Sequence, residues 1–121
     1  MKVKEDNFKK GKYGEQQAKE YLTAKGYRLI ESNYDTDIGE IDLIMSEGDW
    51  LVFVEVKFKQ NDLLGLPEEM INTRKLSQVR RVAEIFLLTN PQIRKLFEKY
   101  RIDGVCMLGQ EIRHYKNIGN E

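Results

Sequence analysis

Two apolar runs that carry charges at alternate places constrain this chain more than anything else in it. They are Gly39-Glu40-Ile41-Asp42-Leu43-Ile44 and Val52-Phe53-Val54-Glu55-Val56-Lys57. Each is rich in β-branched and large apolar residues with a two-residue charge period, which reads as a β-strand. Gly48-Asp49 supplies a turn between them, so the pair is a predicted hairpin. Alternation puts Glu40, Asp42 and Ile44 on one face of the first strand. On the second it puts Leu51, Phe53, Glu55, Lys57 and Lys59 together, opposite Val52, Val54, Val56 and Phe58. Where the charged faces agree, two carboxylates and an ammonium converge in an otherwise apolar sheet. Carboxylates there are costly unless a cation sits among them, which points to a metal.

The available donors narrow the choice of metal. With one cysteine, Cys106, and one histidine, His114, a structural zinc site of Cys/His type is excluded, and any metal is bound by oxygen. Asp42 and Glu55 are hard ligands of the kind Mg²⁺ (or Mn²⁺) takes, and the backbone carbonyl of Val56 is a further candidate ligand. Metal-assisted phosphodiester cleavage asks for this set, with Lys57 orienting a water or stabilising the transition state. The competing reading is a cross-strand ion pair of Lys57 with Asp42 or Glu55 on a solvated edge strand.

The flanking segments read as supports. Residues 8–25 form a predicted helix, with Ala18, Tyr21, Leu22 and Lys25 at helical spacing and Gly26 as its stop. Glu15 falls on the apolar face of that helix. It either meets a partner in the site or simply favours the positive N-terminal end of the helix dipole. Residues 27–31 read as a short strand and 33–39 as a polar loop. A surface loop follows the hairpin, Pro67 opens a turn, and a helix runs over 72–88 with Leu76, Val79, Ala83, Phe86 and Leu87 as its core stripe and Lys75 on the flank. Asn90-Pro91 starts another helix, with Ile93, Leu96, Phe97 and Tyr100 as its apolar face. Strands are expected at 101–108 and 111–118. The order α-β-β-β-α-α-β-β predicts an α/β (α+β) fold with a central mixed sheet flanked by helices. Trp50 and Cys106 are expected to pack. His114 reads as an ordinary surface residue, and Tyr13 is left outside the site.

At 121 residues the chain is expected to form a single domain spanning 1–121. Its net charge is zero, yet residues 1–28 carry +4, 29–66 carry −7 and 67–121 carry +3. A solvated surface explains such an imbalance, and so does an acidic metal centre with a phosphate-binding rim. For that rim the candidates are Lys2, Lys4, Lys9, Lys10, Lys12, Arg74, Lys75, Arg80 and Arg81. Nothing in them specifies base sequence, so structure-selective binding is expected in place of sequence-specific binding. No apolar run approaches the ~20 residues of a membrane span, and the lysine-rich start lacks the apolar region of a signal peptide. A lone cysteine suits a reducing cytoplasm.

Gly14-Glu15, the two hairpin runs, Gly65-Leu66-Pro67-Glu68-Glu69, Lys75-Leu76 and Arg101-Ile102-Asp103 together resemble the bacterial YraN-like family over most of the chain. That family is similar to the PD-(D/E)xK nuclease superfamily with its restriction-endonuclease-like fold, and most closely to archaeal Holliday junction resolvases. Ile41 stands where the superfamily motif has proline. The resemblance implies that Asp42, Glu55 and Lys57 are catalytic and that Glu15 is the helix glutamate that assists metal binding. It also implies DNA as substrate, in repair or recombination, and, from the resolvase branch, a homodimer. The alternative is a nucleic-acid-binding module that keeps the nuclease fold without significant turnover. A third reading makes the acidic hairpin an ion-pair network in a protein-interaction domain.

Overall fold

The predicted hairpin forms, and the sheet is built outward from it. In the computed structural model, residues 2–119 are described in their backbone and residues 8–119 in their side chains. The first helix is α1 (Lys2–Ala24), followed by strands β1 (Arg28–Thr36), β2 (Gly39–Glu47) and β3 (Trp50–Lys59). A 3₁₀ turn (Pro67–Met70), helices α2 (Thr73–Thr89) and α3 (Pro91–Lys95), and strands β4 (Lys99–Leu108) and β5 (Glu111–Tyr115) complete the chain. The strands lie in the sheet in chain order, β1-β2-β3-β4-β5. Only β3 and β4 are parallel, because the segment between them is long enough to cross back over the sheet. The result is an α+β fold with a five-stranded mixed sheet between helices, the arrangement of the restriction-endonuclease-like fold.

Alternation along β2 and β3 sorts the core into two layers. Leu43, Met45, Val52, Val54 and Val56 pack with Ala18 and Leu22 of α1. Ile44, Leu51 and Phe53 pack with Val79, Val82, Ala83 and Phe86 of α2. Phe53 and Phe86 are fully buried and meet edge-on, 5.8 Å between centroids. Gly48, at φ +56°, makes the tight turn, and Glu47 pairs directly with Trp50 across it. Gly14 allows α1 to settle on β3, since a Cβ there would lie 2.9 Å from the Cβ of Phe58.

Five expectations change. Strand β1 runs to Thr36 instead of ending near residue 31, so most of the expected loop is paired with β2. Its alternation is hidden by a bulge at Ile30, where the register with β2 shifts between Leu29 and Glu31, and Asn33 further along sits at φ +52°. Ile41 and Ile44 both pack with the α2 layer while Leu43 packs with α1, so strict alternation fails here and Glu40, Asp42 and Ile44 do not all share the one expected face. Helix α3 is only five residues long. Leu96 and Tyr100 are exposed, and Tyr100 belongs to β4, which starts earlier than expected. The last strand stops at Tyr115, and the tail is tied back by Ile118 N donating to the Ile102 carbonyl at 2.8 Å.

His114 is the fifth correction. Its side chain is 3% exposed and its Nε2 lies 2.9 Å from Asp103 Oδ2, while Lys25 Nζ lies 3.1 Å from its Nδ1. Asp103 is fully buried and also accepts from Arg101, Tyr27 and the Asn117 backbone. Arg101 reaches on to Glu47 at 2.7 Å. Burial by itself would raise the Asp103 pKa, but hydrogen bonds from His114, Arg101 and Asn117 hold it below its usual range. The network ties the chain end to α1, β2 and β4, and it explains the Arg101-Ile102-Asp103 motif as structural. Trp50 and Cys106 pack as expected.

Candidate metal centre and basic cleft

Beyond Leu43 the backbones of β2 and β3 part, and Asp42 spans the opening with its side chain. Its Oδ2 accepts a hydrogen bond from Val56 N at 2.8 Å. The Val56 group that the fold engages here is therefore the amide, which fixes Asp42 in place. Glu55, only 1% exposed, lies against the same carboxylate. Burial first, and the Glu55 charge second, push Asp42 up to about 8. Two carboxylates in contact share a proton or a cation.

Glu55 has cations nearby, yet its bonding is incomplete. Lys75 Nζ stands 3.2 Å from its Oε2 and Lys57 Nζ 3.8 Å. Among the described residues that buried oxygen accepts no hydrogen bond. Lys75 comes from the first turn of α2, where Asn72 Oδ1 caps the helix by accepting from Lys75 N at 2.9 Å.

Glu15 arrives from α1 on the other side. Its Oε1 accepts from Asn33 Nδ2 at 2.9 Å and lies 3.8 Å from Lys12 Nζ, which also donates to Asn33 Oδ1 at 3.1 Å. Carboxylate oxygens of Glu15, Glu40 and Asp42 all fall within 4.8 Å of one another. Burial raises the Glu40 pKa, and Glu15 and Asp35 raise it further. The donor set is all oxygen, the chemistry of a hard divalent cation. Glu15, Glu40 and Asp42 fit Mg²⁺ or Mn²⁺, and Glu55 adjoins them through Asp42.

The structure therefore brings Glu15, Asp42, Glu55 and Lys57 together at the end of β2 and β3. The sequence reading lacked Glu40, although the shared parity of Glu40 and Asp42 on one strand was a usable signal. Asn33 was also missed. Its signal was an asparagine, one of the few residues that tolerates positive φ, inside a strand-like stretch.

The basic candidates divide. Lys57, Arg74, Lys75 and Arg81 line a cleft of about 660 Å³ beside Glu55, with Ile38, Met70 and Gln78. Arg80 does not join them. It faces away and donates to the Gly119 carbonyl at 2.5 Å, holding the chain end. Lys9 and Lys10 line a separate groove with Tyr13 and Phe58, and Lys12 serves Asn33 and Glu15. The side chains of Lys2 and Lys4 lie outside the described residues. Among the described residues no helix is long and apolar enough to cross a membrane.

Residues 14–107, which contain every member of this cluster, match the profile described as Uncharacterised protein family UPF0102. The chain belongs to that family. It is similar to the UPF0102 protein of Alkaliphilus oremlandii, 46% identical over 69% of this chain and 72% of that one. The UPF0102 protein of Lachnoclostridium phytofermentans is 41% identical over 85% of this chain and 86% of its own. That of Desulforamulus reducens is 38% identical, covering 88% and 92%. These matches cover 69–88% of this chain and 72–92% of the relatives.

Proposed function

We propose that this UPF0102 protein is a metal-dependent endonuclease of PD-(D/E)xK type that hydrolyses DNA phosphodiester bonds in the cytoplasm. We propose further that it selects branched or damaged DNA by structure, in repair or recombination. One observation supports this above the rest. Glu55, whose buried Oε2 accepts no hydrogen bond among the described residues, lies beside Asp42 at the wall of a cleft lined by Lys57, Arg74, Lys75 and Arg81.

In this reading Asp42, held by the Val56 amide, Glu55, Glu15 and Glu40 would hold the cation, with the Val56 carbonyl as a further candidate ligand. When bound, Mg²⁺ or Mn²⁺ supplies Lewis-acid chemistry, neutralising phosphate charge and acidifying water. Lys57, on the same strand face as Glu55, orients the attacking water and stabilises charge developing on the phosphate. Arg74 and Arg81 hold the flanking phosphates, and none of these groups reads base edges. The test is incubation of the purified protein with linear, flapped and four-way DNA in Mg²⁺ or Mn²⁺. Cleavage is expected and should be lost in Asp42→Asn and Lys57→Ala. Cleavage that persists unchanged in both variants sinks the assignment.

A second reading has its own support. Lys57 and Lys75 already neutralise Glu55 without any metal. A DNA-binding module without turnover would show salt-dependent binding and no cleavage with either cation.

A further inference from the structure

The cleft beside Glu55 is not the only recess at the end of β3. Phe58 follows Lys57 in the strand, so the two side chains leave opposite faces of the sheet. Lys57 lines the cleft on the α2 side. Phe58 packs on the α1 side, where a groove of about 400 Å³ is lined by Lys9, Lys10, Tyr13, Phe58, Gln60 and Gly109. Its lining contains two ammonium groups, an aromatic pair and no carboxylate.

The aromatic pair is built and open. Tyr13 remains 47% exposed while its ring is fixed edge-on against Phe58, with centroids 5.1 Å apart and planes at 61°. Close packing of Gly14 on Phe58 sets that distance. Tyr13 is two residues before Glu15, and Phe58 is three after Glu55, so the groove adjoins the acidic cluster. A half-exposed tyrosine packed against Phe58, in a groove that two lysines also line, presents a surface on which a base can stack while its phosphates meet ammonium groups.

We infer that this groove is a subsite for an unpaired nucleotide, so that the substrate reaches the acidic cluster through a single-stranded segment. The inference rests on the nuclease reading above and names the substrate class for it. A strand passing from the Arg74 and Arg81 cleft over the end of β3 into the Tyr13 groove contacts both faces of one sheet. A continuous duplex lying against one face contacts only one of them. Branches, flaps and gaps provide the single-stranded stretch that this path requires.

The test measures binding apart from cleavage. Fluorescence anisotropy of the full chain is run in Ca²⁺ with a labelled oligothymidylate, the same length of duplex, a flapped duplex and an oligouridylate, using Tyr13→Ala and Tyr13→Phe. Tyr13→Ala is expected to weaken single-stranded and flapped DNA roughly 10-fold or more, and duplex less than about 2-fold. Tyr13→Phe keeps its ring and should bind as wild type. Parallel weakening on the RNA oligomer supports a subsite for unpaired nucleotides of either kind, whereas weakening on DNA alone supports one for DNA. Wild-type affinity of Tyr13→Ala for every oligomer, equal loss on duplex, or no binding by the wild type overturns the inference. Thermal unfolding of Tyr13→Ala confirms that the comparison is made on folded protein. The two proposals fail separately. Tyr13-dependent binding without cleavage removes the nuclease reading and keeps the subsite. Asp42-dependent cleavage with Tyr13→Ala unaltered in binding does the reverse.

Discussion

Lys75 Nζ stands 3.2 Å from Glu55 Oε2, so a helix on one face of the sheet neutralises a carboxylate buried in the central strand. The pair links stability to the candidate chemistry, because the same Glu55 oxygen is the one left without a hydrogen bond. Removing the ammonium leaves a buried charge with only Lys57 to balance it. Lys75→Met should therefore lose about 1–3 kcal/mol at neutral pH. In a Glu55→Gln background the same change should be close to neutral. Urea unfolding of the four proteins gives the coupling directly, and additive losses would show that the contact is not energetic.

Asp42 predicts a pH dependence. Its carboxyl is ordinarily near 3.8 and stands at about 8 in the fold, so the protonated form is favoured by folding. Its contribution is full below the unfolded value and disappears as pH rises through about 8. In chelator, the stability difference between wild type and Asp42→Asn should shift against wild type across that window. Mn²⁺ binding should release protons below about pH 8, which calorimetry in buffers of different ionisation enthalpy measures. Binding without proton release would contradict the placement of Asp42.

Gly14 offers a steric test of how Glu15 is placed. A Cβ there lies 2.9 Å from Phe58 Cβ, whereas one at Gly11 meets nothing within 4 Å. Gly14→Val should cost about 1–3 kcal/mol by overpacking and should also weaken Mn²⁺ binding, because Glu15 moves with the helix. Gly11→Val, lacking that contact, should leave Mn²⁺ affinity unchanged. Equal affinity in both variants would separate Glu15 from the metal centre.

The Arg101–Asp103–His114 network predicts the opposite pattern. Asp103 is fully buried among its partners, and Asp103→Ala leaves Arg101 without its main counter-charge. A loss of about 3–5 kcal/mol is expected. Since this network lies apart from the acidic cluster, Mn²⁺ affinity of the folded fraction should be unchanged. Titration at a temperature where the variant is folded decides this.

The strands β2 and β3, their turn and the shared face of Glu55 and Lys57 were legible in the sequence because a two-residue period is local information, whereas around Asp42 that period breaks. The stripe of α2 was legible for the same reason. Local pattern did not show where β1 ended, since the bulge between Leu29 and Glu31 offsets its alternation and Asn33 holds a positive φ beyond it. The functional partners were harder still. Glu40 joins Glu15, Lys75 turns to Glu55, Arg80 is drawn to the chain end and His114 is buried against Asp103. Each of these depends on how closely two elements distant in the chain approach, which no periodicity encodes. By itself the sequence determined which residues carry charge into the apolar sheet and, along β3, on which face. Tertiary packing alone decided which charges meet, because a carboxylate's partner is set by ångström distances across helices and strands.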